Sequence, residues 1–125
     1  MGLQKDKAKE IDFTIPVHGV SAHGSTPHLG KDAIVAASAV VQAAQTLVSR
    51  VNNPLRPLVL GFESVRAWKQ FNIVCDKVQL TGCLQAYDDE LLMDMADKLK
   101  KLARRTAEPF DCRSEMALLP EGGAC

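Results

Sequence analysis

Hydrophobic and polar residues alternate along several segments of the chain, which is the spacing of half-buried strands. Such strands are predicted over residues 11–20, 57–65 and 71–87. The third has the clearest pattern, with one face made of Val78, Leu80, Gly82 and Leu84 and the other of Gln79, Thr81, Cys83 and Gln85. Pro16 is a difficulty in the first strand, because proline lacks the N–H that an inner strand needs.

Two further segments have the spacing of amphipathic helices. The first begins at Ala33, after Asp32 in the capping position, and ends before the Asn-Asn-Pro run at 52–54. The second covers 88–108, with acidic residues at its start and basic residues at its end, as the helix dipole favours. A last strand is predicted over 109–118. The order β-α-β-β-α-β predicts an α+β, ferredoxin-like fold, in which two helices cover one face of a four-stranded antiparallel sheet.

The length and the charge narrow the class of protein. A chain of 125 residues, 46% of them hydrophobic, can bury one core. We expect a polar tail over 1–10, one domain over 11–119 and a flexible end over 120–125. Fifteen basic residues balance fifteen acidic ones, which removes the electrostatic drive towards nucleic acid or an anionic membrane.

Targeting signals and cysteine usage indicate the compartment. We expect no apolar run to approach the roughly 20 residues that span a bilayer, and the first ten residues lack the pattern of a secretory signal. The four cysteines are scattered without a C-x-x-C pair, which is typical of a reducing compartment. We therefore expect a cytoplasmic protein that binds neither nucleic acid nor membrane.

The loop at 19–30 carries the polar residues that could do chemistry. His18, His23 and His28 are spaced by five, which repeats on neither a helix face nor a strand face, and no carboxylate run nearby completes a metal site. Ser21, Ser25 and Thr26 flank His23, but such residues are common in turns. We predict no metal site and no self-contained catalytic centre in this chain.

The same loop, GVSAHGSTPHLGKD at 19–32, resembles a known motif when it is read together with FNIVCDKVQLTGCLQAYD at 71–88. Both are similar to the lid or dimerisation domain of the metal-dependent aminoacylase and carboxypeptidase family, which includes hippurate hydrolase, carboxypeptidase G and N-acyl-amino-acid hydrolases. The resemblance extends over residues 11–90. The matching residues are Gly19, His23, Pro27, His28, Gly30, Asp32, Gln45, Ser49, Arg50, Asn72, Ile73 and Gly82.

The resemblance implies that the chain is the lid of a larger enzyme that hydrolyses the amide bond of N-acyl amino acids or small peptides. Such enzymes hold a divalent metal, which we expect to be zinc, in a catalytic domain outside this chain, and we expect lids to pair by their edge strands into homodimers. His23 is then expected to polarise the substrate carbonyl in the partner's site, and Asn72 to bind substrate. His28, Gly30 and Asp32 are expected to structure the loop. Alone, the chain is expected to be inactive.

Three positions depart from the family pattern. Cys75 replaces a proline, Gln85 replaces an arginine, and Trp68 lies in a segment that is usually rich in glycine. If that arginine contacts an anionic group of the substrate in the family, its absence here leaves the choice of substrate undetermined. An alternative function is a free-standing ferredoxin-like module that binds a protein or a small ligand without catalysis.

Overall fold

The computed structural model describes residues 8–119. Residues 1–7 of the expected tail at 1–10 and the expected flexible end at 120–125 lie outside them, whereas Lys9 and Glu10 belong to the first strand. The elements in chain order are β1 (Lys9–His18), α1 (Ala33–Thr46), β2 (Leu58–Ala67), β3 (Lys77–Ala86), α2 (Asp89–Ala107), β4 (Arg113–Ser114) and β5 (Ala117–Leu119). A π turn, Leu47–Val51, continues α1, and short 3-10 turns occupy Pro27–Leu29 and Glu108–Phe110.

The strands form one antiparallel sheet in the order β2-β3-β1-β4, and β5 also pairs with β1. β1 pairs with β3 along its whole length, from Lys9 opposite Ala86 to His18 opposite Lys77. β2 lies at the edge of the described sheet and pairs with β3 alone, with a bulge between Phe62 and Ser64. This order and the two α-helices confirm the predicted α+β, ferredoxin-like fold.

The core lies between the helices and one face of the sheet. Its largest fully buried side chains are Phe13, Ile15, Leu80, Leu84 and Leu99. Burial of each such side chain stabilises the fold by about 2 kcal/mol. At the alternate positions of β3, Lys77, Gln79, Thr81 and Gln85 stay partly exposed, whereas Cys83 is buried. The two faces of the sheet therefore differ as the alternating pattern predicts, and the polar face is open.

The pairing of β1 explains how Pro16 is accommodated, although it does lie in an inner strand. Gly19 N donates to Asp76 O at 2.8 Å, so the odd residues of β1 direct their backbone groups towards β3. Pro16 therefore directs its nitrogen towards the opposite neighbour. On that side β5 pairs with residues 12–14 and β4 with residues 17–18, in one continuous register. The missing N–H thus divides a single edge strand into β4 and β5.

Two predicted strands have different boundaries in the structure. The strand predicted over 71–87 begins only at Lys77, because residues 72–74 pair with the loop that follows β1. The strand predicted over 109–118 starts with a 3-10 turn, which ends at Asp111 in the left-handed conformation, with a φ of 57°.

The expectation that no apolar run could span a bilayer is corrected by the first helix. α1 and its π turn form a helix, Ala33–Val51, of 19 residues with a mean hydropathy of 1.4, which is long and apolar enough to cross a membrane by length and composition. Alanines make up much of this segment, and Arg50 is its one charged residue. Ala36, Ala37 and Val40 are buried. Only 28% of the segment is buried, and Val35 and Val51 are each about half exposed in a single chain.

Candidate functional site

The loop between β1 and α1 is closed at its base by two backbone hydrogen bonds. Val20 N donates to Lys31 O at 2.9 Å, and Lys31 N donates to Val20 O at 2.7 Å. Glycines flank this pair where a side chain has no room. A Cβ at Gly19 would lie 2.0 Å from Lys31 O, and one at Gly30 would lie 2.8 Å from Ala22 Cβ. The two sides of the loop can approach this closely because both positions are glycine.

A second backbone contact joins the loop to the segment before β3. Gly24 N donates to Asn72 O at 2.6 Å, and His23 forms an antiparallel bridge with Ile73. The structure therefore brings together His23 and Asn72, which are 49 positions apart in the sequence. The loop is held on two sides while the His23 side chain remains exposed.

The backbone of Asn72 is in the left-handed region, with a φ of 62°. Asparagine adopts this conformation more readily than other residues with a side chain. A Cβ on Gly24 would lie 3.5 Å from Asn72 Oδ1. That distance is an ordinary contact, but the same Cβ would lie 3.1 Å from Asn72 O, so a side chain at Gly24 would crowd the backbone of Asn72.

His23 accepts hydrogen bonds from its own loop. Ser25 N donates to His23 Nδ1 at 3.1 Å, and Ser25 Oγ lies 2.7 Å from the same nitrogen. A backbone N–H can only donate, so Nδ1 carries no proton, and we assign the proton of the neutral ring to Nε2. His23 thus presents an N–H donor, which its own loop does not use, on an exposed side chain.

The remaining predicted loop residues differ in what they contact. Asp32 Oδ1 accepts from Ile34 N at 2.9 Å and from Val35 N at 3.4 Å, which confirms the predicted cap of α1. His28 lies in the 3-10 turn Pro27–Leu29 and is exposed, and its ring makes no hydrogen bond within residues 8–119. The start of α1 is therefore fixed by Asp32, and a structural role for His28 stays a prediction.

Two of the positions that depart from the family pattern make contacts within the domain. Cys75 is buried, and its thiol lies 3.2 Å from Lys77 O. Gln85 Nε2 donates to Glu10 Oε2 at 3.2 Å on the open face of the sheet. The position where the family usually has arginine therefore carries no positive charge here.

Trp68, the third departure, belongs to a charged cluster that the sequence reasoning missed. The guanidinium of Arg66 lies 4.8 Å from the centre of the Trp68 ring, and Lys77 Nζ lies 4.6 Å from it. These distances are those of cation–π contacts. The i, i+2 spacing of Arg66 and Trp68 on a strand could have indicated the first contact, but the second depends on the register of β2 and β3.

The chemistry available at this site is hydrogen bonding and charge. Within residues 8–119 no three His, Cys, Asp or Glu side chains come together in a way that could hold a metal ion. His23 Nε2 and the amide of Asn72 provide the exposed polar groups at neighbouring backbone positions. Such groups can orient or polarise a bound carbonyl.

Known proteins share this fold and sequence pattern. A family model described as a peptidase dimerisation domain matches residues 10–111. The chain is 27% identical over 104 residues to N-acetyl-L-cysteine deacetylase of Bacillus subtilis, covering 83% of this chain and 25% of that protein. A solved structure of a candidate aminohydrolase from methicillin-resistant Staphylococcus aureus matches with a TM-score of 0.85 at 29% identity, covering 90% of this chain and 30% of that chain.

A second solved structure shows the likeness of fold at lower identity. It is a Bacillus subtilis protein described as a dinuclear metal-binding peptidase of the M20 family, with a TM-score of 0.68 at 18% identity, over 90% of this chain and 26% of that chain. The present chain thus spans about a quarter to a third of the length of these relatives. Since the family model matches most of its residues, the chain belongs to the peptidase dimerisation domain family.

Proposed function

We propose that this domain is the lid and dimerisation unit of an amidohydrolase or peptidase that cleaves the amide bond of N-acyl amino acids or small peptides. The observation that carries the proposal is His23, an exposed imidazole whose Nδ1 is occupied by Ser25 and whose Nε2–H is available. The related deacetylase acts on an N-acetyl amino acid, as its name says. The reaction therefore has a carbonyl oxygen that develops negative charge.

His23 supplies a donor for that oxygen. As the carbonyl becomes tetrahedral, its oxygen gains charge, and a donor already placed beside it stabilises the transition state more than the ground state. One such donor contributes about 3–4 kcal/mol in a site that excludes water. We propose that Asn72, whose backbone oxygen accepts from Gly24 N on the His23 loop, holds the substrate near the same oxygen.

The position of the loop supports a role in the site of the partner subunit. β1 begins and β5 ends at the same end of the sheet, where Asp12 pairs with Leu119. His23 follows the other end of β1, which is ten residues long and so extends for about 30 Å. A catalytic domain joined at the Asp12 end lies far from the His23 of its own chain. The loop is instead free to project into a second subunit.

The edge of the sheet supports pairing between two copies. Trp68 N donates to Lys77 O at 3.0 Å, so alternation directs the backbone groups of Val65 and Ala67 away from β3. Free groups of this kind are a template for another strand. The side chain of Val65 is 65% exposed.

An apolar groove of about 490 Å³ lies between this edge and α1. Its lining includes Ile34, Val41, Val65 and Leu80. The uncovered apolar surface of α1 continues beyond it, with Val35 48% exposed. A second copy that pairs β2 with β2 would cover the groove and the helix face together, so we propose a symmetric homodimer.

Light scattering on the chain tests this interface. We expect a dimer, and we expect Val65→Lys to give a monomer, because a charge at the edge opposes strand pairing. Leu119→Lys is the control, since Leu119 is also exposed, at 41%, and lies at the opposite edge of the sheet. A wild-type chain that stays monomeric at high concentration would contradict the proposed interface.

We propose that a divalent metal, zinc, is held by a catalytic domain outside this chain; the His, Cys, Asp and Glu side chains of residues 8–119 form no group that would hold it. A metal of this kind activates water when it is bound. The full-length protein, assayed with zinc and N-acetyl amino acids, should release the free amino acid, and His23→Ala should lower kcat/KM by about a hundredfold or more. A free-standing binding module, the alternative function, predicts no turnover.

A further inference from the structure

A cavity of about 430 Å³ lies between the C-terminal end of α2 and the segment around the edge strand β4. Arg104 and Glu108 line it from the end of the helix. Arg113 and Glu115 line it from the strand. None of these four side chains has an oppositely charged partner within 4.0 Å among residues 8–119, where five other ion pairs do form. Two guanidinium groups and two carboxylates are therefore available to a ligand.

Ser114 adds a buried polar group to the lining of the same cavity. The residue is 3% exposed, and its Oγ is buried without a hydrogen-bond partner within the described part of the chain. Ser114 is opposite the fully buried Val17, so its side chain lies on the face of the sheet that the helices cover. Buried hydroxyl groups are nearly always paired, because burial removes their hydrogen bonds to water. An unused hydroxyl in a cavity wall is expected where a ligand completes its hydrogen bonding.

Charge indicates the class of ligand that fits this cavity. An α-amino acid is a zwitterion at neutral pH, so it offers a carboxylate to the guanidinium groups and an ammonium group to the carboxylates. A serine hydroxyl can donate to the first or accept from the second. The C-terminal end of a helix also favours a positive group, through the helix dipole. A ligand with only one of the two charges would leave one pair of side chains without a partner.

We propose that this cavity binds a free α-amino acid. Its carboxylate is held by Arg104, Arg113 and Ser114, and its ammonium group is held by Glu108 and Glu115. The described lining residues lie outside the two segments that form the candidate site, so this is a separate binding site. A free amino acid is the product class of the proposed reaction. That identity as a product rests on the proposed function, whereas the binding itself does not.

NMR titration of the ¹⁵N-labelled chain tests the site directly. The probes are L-alanine, N-acetyl-L-alanine, which lacks the ammonium group, and L-alaninamide, which lacks the carboxylate. At constant pH and ionic strength we expect L-alanine to shift the amide signals of Cys112, Ser114 and Glu115 saturably below roughly 50 mM. Both analogues should bind at least about tenfold more weakly, because each leaves two charged side chains unpaired. No saturable shift with L-alanine, or equal binding of all three compounds, would overturn the proposal.

Ser114→Ala separates a hydroxyl that binds ligand from one that stabilises the fold. Because its Oγ has no partner within the described residues, we expect an equal or higher midpoint of urea unfolding. L-alanine binding should weaken by about fivefold or more. Ser38→Ala is the control, since its hydroxyl donates to Ile34 O at 2.8 Å on the exposed face of α1, and it should leave binding unchanged. Binding that is also unchanged in Ser114→Ala would contradict the site.

A charge substitution separates a local site from general electrostatics. We expect Arg104→Gln to weaken L-alanine binding by about three- to tenfold. Lys100→Gln is the matched control, because Lys100 is exposed one turn earlier on α2 and lines a different cavity. It makes the same change in net charge and should leave binding unchanged. Equal effects of the two substitutions would contradict a local site.

The failure of this inference differs from the failure of the proposed function. A full-length protein that turns over no N-acyl amino acid would contradict the proposed function, and the titration of the chain would still decide the binding of L-alanine. A full-length protein that hydrolyses N-acetyl-L-alanine, together with a chain that does not bind L-alanine, would overturn this inference alone.

Discussion

The backbone N–H of Ser25 donates a hydrogen bond to Nδ1 of His23 at 3.1 Å. This contact fixes which ring nitrogen carries the proton, because a backbone amide cannot accept a hydrogen bond. We predict that long-range nitrogen–proton NMR spectra of the chain will show His23 as the neutral Nε2–H tautomer. A ring protonated on Nδ1 in its neutral form would contradict the assignment.

Ser25 also positions the ring through its hydroxyl group, which lies 2.7 Å from Nδ1. Ser25→Ala removes the hydroxyl and keeps the backbone donor. In the full-length enzyme we expect kcat to fall by about three- to tenfold with little change in KM, because the ring is less well oriented in the transition state. Ser49→Ala, at an exposed position of the π turn, is the matched control and should be neutral. Equal kcat values for the two variants would remove Ser25 from a positioning role.

Gly19 is required by the close approach of two segments, so its replacement should destabilise the fold. A Cβ there would lie 2.0 Å from Lys31 O, a backbone atom that cannot move aside without displacing the loop. We expect Gly19→Ala to lower the free energy of unfolding by about 1–3 kcal/mol in urea titrations. Gly61→Ala is the control, because no atom lies within 4 Å of its Cβ position. It should be neutral or slightly stabilising, and similar losses for both variants would contradict the steric explanation.

We expect the titration of Cys112 to lower the stability of the fold at alkaline pH. Burial raises the pKa of the Cys112 thiol, and the nearby carboxylates of Asp32 and Asp111 raise it further. The unfolded chain therefore loses this proton at a lower pH than the folded chain. The contribution is fully present below the unfolded pKa and is lost as the pH rises through the folded pKa, from about 8.5 upwards.

The check is the free energy of unfolding measured in urea between pH 7 and pH 10. The wild type should lose stability with a slope of at most about 1.4 kcal/mol per pH unit from this group. Cys112→Ala should be less stable at pH 7, because a buried side chain becomes smaller, but its stability should decline less steeply. Parallel curves would show that Cys112 does not cause the pH dependence.

Local signals in the sequence were sufficient for much of the fold. The alternation of β3 and the cap at Asp32 depend on residues close in the chain, and the structure confirms both. The second helix was predicted over 88–108 and is observed at Asp89–Ala107, with Asp88 accepting from Glu90 N at 2.9 Å. Periodicity and capping are properties of single segments, so one sequence is enough to locate them.

The remaining features depend on contacts between distant segments. Residues 72–74 read as part of a strand, but they pair with the His23 loop, and sequence spacing carries no information on that partner. The interruption of the edge strand at Pro16 depends on whether its nitrogen faces β3 or the strand on the other side of β1. The placement of Lys77 opposite His18, and of His18 opposite Arg113, depends on the register of three strands. The proximity of His23 and Asn72 was indicated only by the family resemblance.

The central claim is that His23 of one subunit completes the active site of the other. Two inactive variants of the full-length enzyme test it most directly: His23→Ala, and a variant with an intact lid but a disabled catalytic domain. After subunit exchange at equal amounts, half of the dimers are mixed, and each mixed dimer has one complete site. One site in four is then complete, and we therefore predict about a quarter of the wild-type activity per dimer. No recovery, with mixed dimers demonstrated by mass spectrometry, would contradict the claim.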